Sequence, residues 1–293
     1  MKAHAKINAF LKIVGARGEY HELNSRFILI DDLWDEIDFV ERDVAQTNKF
    51  VLAPSESVAS NASGEHECSR PQGATLSTRE VKNKSNLKSD GFSNLIVGCE
   101  IENNIVEKAY RALSNFGFER ELADFFKDHQ VRLVKHIPSG AGLGGGSSDA
   151  ATFLLLANEQ IGLNLNIDDL TRVAGNIGAD VAFFVSGAKT ANVSGIGEVV
   201  EPFDDDVPPL EIITSEIFCS TPAVYKKFRA DYFKFDLPLA EGLMAKSTRE
   251  ILANYENKAL NDLLAPCLAL YSNLKIARDE FLSGSGSAKF KVK

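Results

Sequence analysis

Cysteine is scarce. The 293 residues contain four, Cys68, Cys99, Cys219 and Cys267, far apart and with no Cys-x-x-Cys or Cys/His pairing. That excludes a disulfide framework and a zinc module, and it fits plain thiols in a reduced, cytoplasmic setting. Long apolar runs are missing as well. None approaches the roughly 18 residues that span a bilayer. The opening MKAHAKINAFLKIVG is interrupted by Lys6 and Lys12, so it reads as a strand rather than a secretion signal. Positive charge is in deficit, with 32 Lys and Arg against 41 Asp and Glu and a formal net charge of -9. Such a surface has no general attraction for nucleic acid or an anionic membrane, so an anionic substrate must be captured by local donors.

What is present is ordinary globular material, 44% hydrophobic and 25% charged, enough for two domains. Residues 2–52 alternate apolar and polar in runs such as AKINAFLKIV, SRFILI and EIDFVE, which predicts an antiparallel sheet with one wet face. From about 54 to 92 the composition shifts to Ser, Asn, Glu, Lys and Gly, too poor in apolar residues to offset ordering entropy, and a mobile surface insertion is expected there. Helical spacing resumes in NNIVEKAYRALSNFG, a strand QVRLVKHI follows, and SSDAATFLLLANEQIG predicts a helix with Ala151, Leu154, Leu155 and Ile161 on one side. DDLTRVAGNIG reads as a short helix, ADVAFFVSG as a buried strand and VSGIGEVVEPF as a hairpin. After Pro208 and Pro209 the pattern restarts, with LEIITSEI and helical stretches in TPAVYKKF and NDLLAPCLALYSNLKIARDEFL. A domain boundary is expected near residue 190, giving units of 1–190 and 191–293.

Between the predicted strand and helix lies PSGAGLGGGSSDAA, with five glycines (Gly140, Gly142, Gly144, Gly145, Gly146) before the helix starts. Glycine lets backbone approach a phosphate and adopt positive φ, while consecutive N–H groups at a helix start favour an anion. Ser147 and Ser148 can cap the helix or donate to phosphate. A Walker A loop is excluded, because Gly146 stands where its lysine would be. A protein-kinase loop is excluded too, since no His-Arg-Asp or Asp-Phe-Gly occurs. Gly140, Gly142 and Gly145 do satisfy Gly-x-Gly-x-x-Gly, so a nicotinamide-binding oxidoreductase stays open on the spacing alone.

PSGAGLGGGSSDAA resembles the second motif of the GHMP small-molecule kinases. AKINAFLKIVG with EYHELNSRF, IGADVAFFVSG with SGIGE, and LSGSGSAKF arrive in order and resemble, within that superfamily, the 4-diphosphocytidyl-2-C-methyl-D-erythritol kinase family. The resemblance covers nearly the whole chain outside residues 54–92. It implies an α+β, two-domain fold, an N-terminal domain like ribosomal protein S5 domain 2 and a ferredoxin-like C-terminal domain. It also implies ATP as phosphate donor, Mg2+ arriving with the nucleotide, and a cytidyl diphosphate sugar alcohol as acceptor, phosphorylated at its 2-hydroxyl in the non-mevalonate isoprenoid pathway. Another small alcohol is the alternative acceptor.

By the same resemblance, Lys6 and Asp180 are the catalytic pair, Asp180 accepting the hydroxyl proton and Lys6 stabilising the alkoxide. Pro138, Ser139, Gly140, Ala141, Gly142, Leu143, Gly144, Gly145, Gly146, Ser147 and Ser148 would hold the nucleotide phosphates, with Ser148 nearest the metal. Asn8, Tyr20, His21, Tyr225, Ser285 and Gly286 would bind the acceptor, the tyrosines stacking on its base. A monomer or weak homodimer is expected. Two positions depart from the family pattern around the site: Glu19 stands where a glycine is usual before Tyr-His, and Ala182 replaces a common proline.

Overall fold

The computed structural model describes residues 1–42 and 104–293, so the segment read as an insertion lies outside the described residues. The chain begins with a long hairpin, β1 (Lys2–Arg17) and β2 (Tyr20–Glu41), paired antiparallel with register shifts at His4/Ala5, Asn8/Phe10 and Ile13/Gly15. The several short runs of alternation are thus two continuous strands bent by bulges. β3 (His129–Val134) pairs with the far end of β2. β4 (Thr190–Ser194) pairs with Ser25–Ile28 of β2, and β5 (Val199–Pro202) completes this five-stranded sheet on β4. Every strand pair among the described residues is antiparallel, so the loop after β3 does not belong to the parallel βαβ unit that a dinucleotide fold requires.

Helices α1 (Ile105–Leu113), α2 (Glu119–Phe125), α3 (Gly145–Ala157) and α4 (Ile167–Ala174) belong to this half. α4 is amphipathic and starts on Asn166, whose side chain accepts from Asp169 N, with two aspartates in the first turn and Arg172 in the last. α3 is not the one-sided helix expected from its spacing. Its residues from Ser148 to Leu154, with Leu156 and Ala157, are buried around the whole circumference, making it the central helix.

ADVAFFVSG forms a helix, α5 (Val181–Ser186), where a buried strand was expected. A six-residue apolar run carries no usable period, and the local feature that marks the helix is its end, where Gly187 takes the left-handed conformation (φ 70°); Asp180 precedes the helix without capping it. The expected break near residue 190 falls inside the sheet, because β4 and β5 extend it to Pro202.

The second half holds a three-stranded antiparallel sheet, β6 (Leu210–Ile213), β8 (Lys289–Val292) and β7 (Phe281–Leu282) in the order β6-β8-β7. Around it lie α6 (Thr221–Lys227), α7 (Leu237–Met244), α8 (Thr248–Asn254), α9 (Asn257–Leu260) and α10 (Leu264–Leu270). The helix expected to run through KIARDEFL stops at Leu270, and turns lead from there to β7.

β1 joins the halves. Ala5, Ile7 and Ala9 pack into one cluster with Ile251, Phe281 and Phe290, and Leu11 and Ile13 into another with Val224, Phe228 and Leu263. Alternation along a strand then sends Lys6 and Asn8 to the opposite face. A second tie is ionic: Arg26 and Asp205, both wholly buried, pair at 2.9 Å, and Arg26 also donates to Met244 O and Lys246 O. No helix of the described residues is long and apolar enough to cross a membrane.

Candidate active site

The glycine loop lies along the free edge of the first sheet, where Lys6 N donates to Leu143 O at 2.9 Å. Gly140, Gly142 and Gly144 all have positive φ (67°, 75° and 70°), a conformation side chains disfavour. Gly142 is tight as well as left-handed, for a Cβ there would stand 2.2 Å from Ser283 O. Gly145 and Gly146 open α3, whose first-turn N–H groups have no helical partners and mark an anion-binding end.

The serine-glycine segment near the C-terminus is a braced loop rather than a tail. Ser283 and Ser287 are fully buried, Ser283 Oγ donates to Gly142 O at 3.0 Å, and Ala288 N donates to Ala141 O at 2.9 Å. Asn261 Nδ2 holds it from behind by donating to Leu282 O and Gly284 O, and Thr221 Oγ1 and Ser285 Oγ are 2.7 Å apart. The two loops thus form one wall of a cleft of about 1460 Å³.

Ten of the eleven loop positions, from Pro138 to Ser147, line that cleft, and so do Asn8, Tyr20, His21, Tyr225 and Ser285. Two expected residues do not. Ser148 is only 1% exposed, turned into the core by its place on a helix buried all round, and Ser147 occupies the wall instead. Gly286 faces away from the cleft, so close to Cys267 that a Cβ would meet its Sγ at 2.9 Å.

Between the loops stands a polar chain. Lys6 Nζ is 3.2 Å from Asp180 Oδ2 and donates to Asn8 Oδ1 at 2.7 Å; Asn8 Nδ2 donates to Ser25 Oγ at 2.9 Å, which donates on to Phe10 O at 2.5 Å. The chain settles which way the Asn8 amide faces and anchors a 4%-exposed ammonium that also lies over the Phe27 ring. The Asp180 carboxylate is more open, at 28% exposure, and lines the cleft. Ser25 carried no sequence signal, because its role depends on the hairpin register that brings it beside Asn8.

At one end of the cleft the walls are aromatic. The His21 ring, 7% exposed, lies 5.3 Å from the Tyr225 ring and edge-on to Phe228 at 5.8 Å. Burial, with a smaller contribution from the Arg229 charge, lowers the imidazole pKa, and its Nε2 has no partner among the described residues. Burial, then the nearby Asp180 carboxylate, raises the Tyr225 phenol pKa and keeps it protonated. Tyr20 is 64% exposed at the tip of the β1–β2 hairpin. The turn there takes its positive φ at Gly18 (60°) and not at Glu19, so glutamate replaces the family's glycine without strain. Ala182 is equally benign: it is the second residue of α5, where no helical acceptor is available for its N–H and proline or alanine fits.

The opposite end contains residues that sequence reasoning missed. Lys135 forms an ion pair with Asp149 at 2.6 Å and another with Asp35, which in turn accepts from Ile137 N at 2.8 Å. Burial, reinforced by Asp35 and opposed by Lys135, pushes the Asp149 carboxyl up to about 7. Burial would depress the Lys135 ammonium, but the two carboxylates outweigh it and raise its pKa. Asp149 Oδ1 and Asn104 Nδ2 are buried at this end without a hydrogen-bond partner among the described residues, although both residues line the cleft. An unpaired acceptor and an unpaired donor suit the edge of a polar ligand. Lys135 and Asp149 flank the glycine loop in sequence, but only the fold shows that they meet.

The model of the GHMP kinases N terminal domain matches residues 104–188. The 4-diphosphocytidyl-2-C-methyl-D-erythritol kinase of Campylobacter jejuni subsp. doylei is 40% identical, with 100% of this chain and 99% of the relative covered. The protein of that name from Sulfurimonas denitrificans is 37% identical over 100% and 96% of the two chains. A crystal structure of 4-(cytidine 5'-diphospho)-2C-methyl-D-erythritol kinase superposes with a TM-score of 0.62 and 27% identity, covering 100% of this chain and 89% of the other.

Proposed function

Since the chain belongs to the 4-diphosphocytidyl-2-C-methyl-D-erythritol kinase family of GHMP kinases, we propose that it transfers the γ-phosphoryl group of ATP to the 2-hydroxyl of 4-diphosphocytidyl-2-C-methyl-D-erythritol, a step of the non-mevalonate isoprenoid pathway. The observation that carries the reading is the Lys6–Asp180 pair at 3.2 Å, standing between a phosphate-binding wall and an aromatic end.

The chemistry follows from that placement. Asp180 takes the proton of the acceptor hydroxyl as the oxygen attacks, and Lys6 stabilises the negative charge building on that oxygen. Asn8, held by Ser25, keeps the lysine from swinging away. Amides of Gly140–Gly146 and the start of α3 hold the phosphates of the donor, so catalysis is mainly positioning and electrostatics. Mg2+ would arrive on the nucleotide, held chiefly by its phosphates. Ser147 is then the side chain best placed to meet it. Bound there, the ion would neutralise phosphate charge.

The acceptor end suits a pyrimidine, with Tyr20 and Tyr225 offering faces worth on the order of 1–3 kcal/mol to a stacked base. A cytoplasmic monomer or weak homodimer is the form proposed to act. The test is ADP release across cytidyl and non-cytidyl alcohols, homoserine and mevalonate included. Turnover restricted to the cytidyl acceptor is expected, and equal rates without the cytidine group would refute the substrate.

A further inference from the structure

The tip of the β1–β2 hairpin projects past the sheet that supports its base. β4 pairs with β2 only over Ser25–Ile28, and Arg17, Gly18, Glu19 and Tyr20 are all exposed. This exposed tip carries one of the two tyrosine faces of the acceptor end. A base is held between two rings only if their separation stays close to the thickness of a base plus its contacts, so the tip must be fixed relative to α6, which carries Tyr225.

Arg229 makes that connection. It lies one helical turn beyond Tyr225, in the Phe228–Tyr232 segment that continues α6, and it lines the cleft. Its Nη2 donates to Gly18 O at 2.9 Å and reaches Tyr20 O at 3.4 Å, so a single guanidinium spans both sides of the two-residue turn. Its contact with the Glu19 carboxylate is long, 3.8 Å, and Glu19 is 96% exposed, so that ion pair adds little. The working contacts are those to the backbone. On the other flank Arg17 donates to Glu198 at 2.8 Å, tying the tip to the β4–β5 turn; below the tip the His21 ring packs on Tyr225 and Phe228, and Arg229 adds a polar tie at the turn itself.

We propose that Arg229 is a positioning residue for the acceptor: it binds the hairpin tip to the element bearing Tyr225 and so sets the spacing of the two aromatic faces. The proposal rests on the acceptor reading above. A guanidinium presents several donors in a rigid plane and can serve two carbonyls of one turn, whereas an ammonium on a flexible stem serves them less well. Glu19 contributes nothing essential to this arrangement, so the departure from the family's glycine is compatible with a working base site.

The experiment titrates CDP into the full-length protein, with ADP saturating the donor end, for wild type, Arg229→Met, Arg229→Lys and Tyr225→Ala. Loss of charge-assisted bonds to the tip is expected to weaken CDP binding about tenfold in Arg229→Met, with Arg229→Lys intermediate. In steady state Arg229→Met raises the acceptor KM and leaves kcat, the ATP KM and the melting temperature near wild type. If Tyr225→Ala weakens CDP binding and Arg229→Met does not, the positioning role is wrong and the acceptor reading stands. If neither variant alters CDP binding, the acceptor reading itself falls. A lowered melting temperature, or an equal rise in both KM values, would make Arg229 a general structural residue and overturn the proposal.

Discussion

The two ends of the cleft are built from different materials. The donor end is mostly backbone: left-handed glycines, the start of α3, and a second loop pressed so close that Gly142 has no room for a methyl group. The acceptor end is mostly side chain, with rings on α6 and on an exposed hairpin tip held by guanidinium contacts. Backbone sites read a feature that all nucleoside triphosphates share, and they tolerate almost no change. Side-chain sites discriminate, and they can drift residue by residue, as Glu19 illustrates.

That contrast can be broken most sharply at Gly142. Gly142→Ala puts a methyl 2.2 Å from Ser283 O on a backbone with φ 75°, so the two loops must separate. We expect ATP-dependent turnover to fall by more than about a hundredfold, because strain of several kcal/mol enters the loop proposed to hold the phosphates. Activity assays with a parallel melting curve check this, and near-normal turnover would mean that the loops are not a rigid wall.

Tyr225→Ala should be milder and confined to the other end. The acceptor KM is expected to rise about ten- to a hundredfold from lost stacking, with the ATP KM unchanged. A matching rise in both constants would erase the distinction between the ends.

The smallest effect concerns pH. In the folded chain the Asp149 carboxyl is raised to about 7 from 3.8. Between those values the folded state keeps a proton that the unfolded state has lost, so this group makes stability fall as pH rises, levelling off above 7. Asp149→Asn should therefore gain melting temperature relative to wild type on going from pH 5 to pH 8. A constant difference across that range would mean that the carboxyl titrates normally.

How much of this was legible beforehand follows the same division. The glycine loop showed itself because a dense run of glycine before a helix has few other uses, and Lys6, Asn8 and Asp180 followed from the family resemblance. The Ser147/Ser148 distinction was not legible, because it depends on α3 being buried all round rather than on one side. Nor was α5, whose six apolar residues fit a strand as well as a helix until Gly187 is seen in the left-handed conformation. The Asp35–Lys135–Asp149 cluster brings Asp35 to a lysine 100 positions further along the chain, and no local pattern announces such a meeting. The reach of the first sheet to Pro202 escaped for the same reason: strand pairing is a long-range fact.

Asp180, held beside Lys6, is proposed to take the proton from the acceptor. Single-turnover phosphoryl transfer by Asp180→Asn, with ATP and the cytidyl acceptor both saturating, tests it most directly. The variant keeps the shape of the side chain but removes the base, and a rate lower by about a thousandfold or more is expected with both ligands still bound. Transfer within a few-fold of wild type would contradict it.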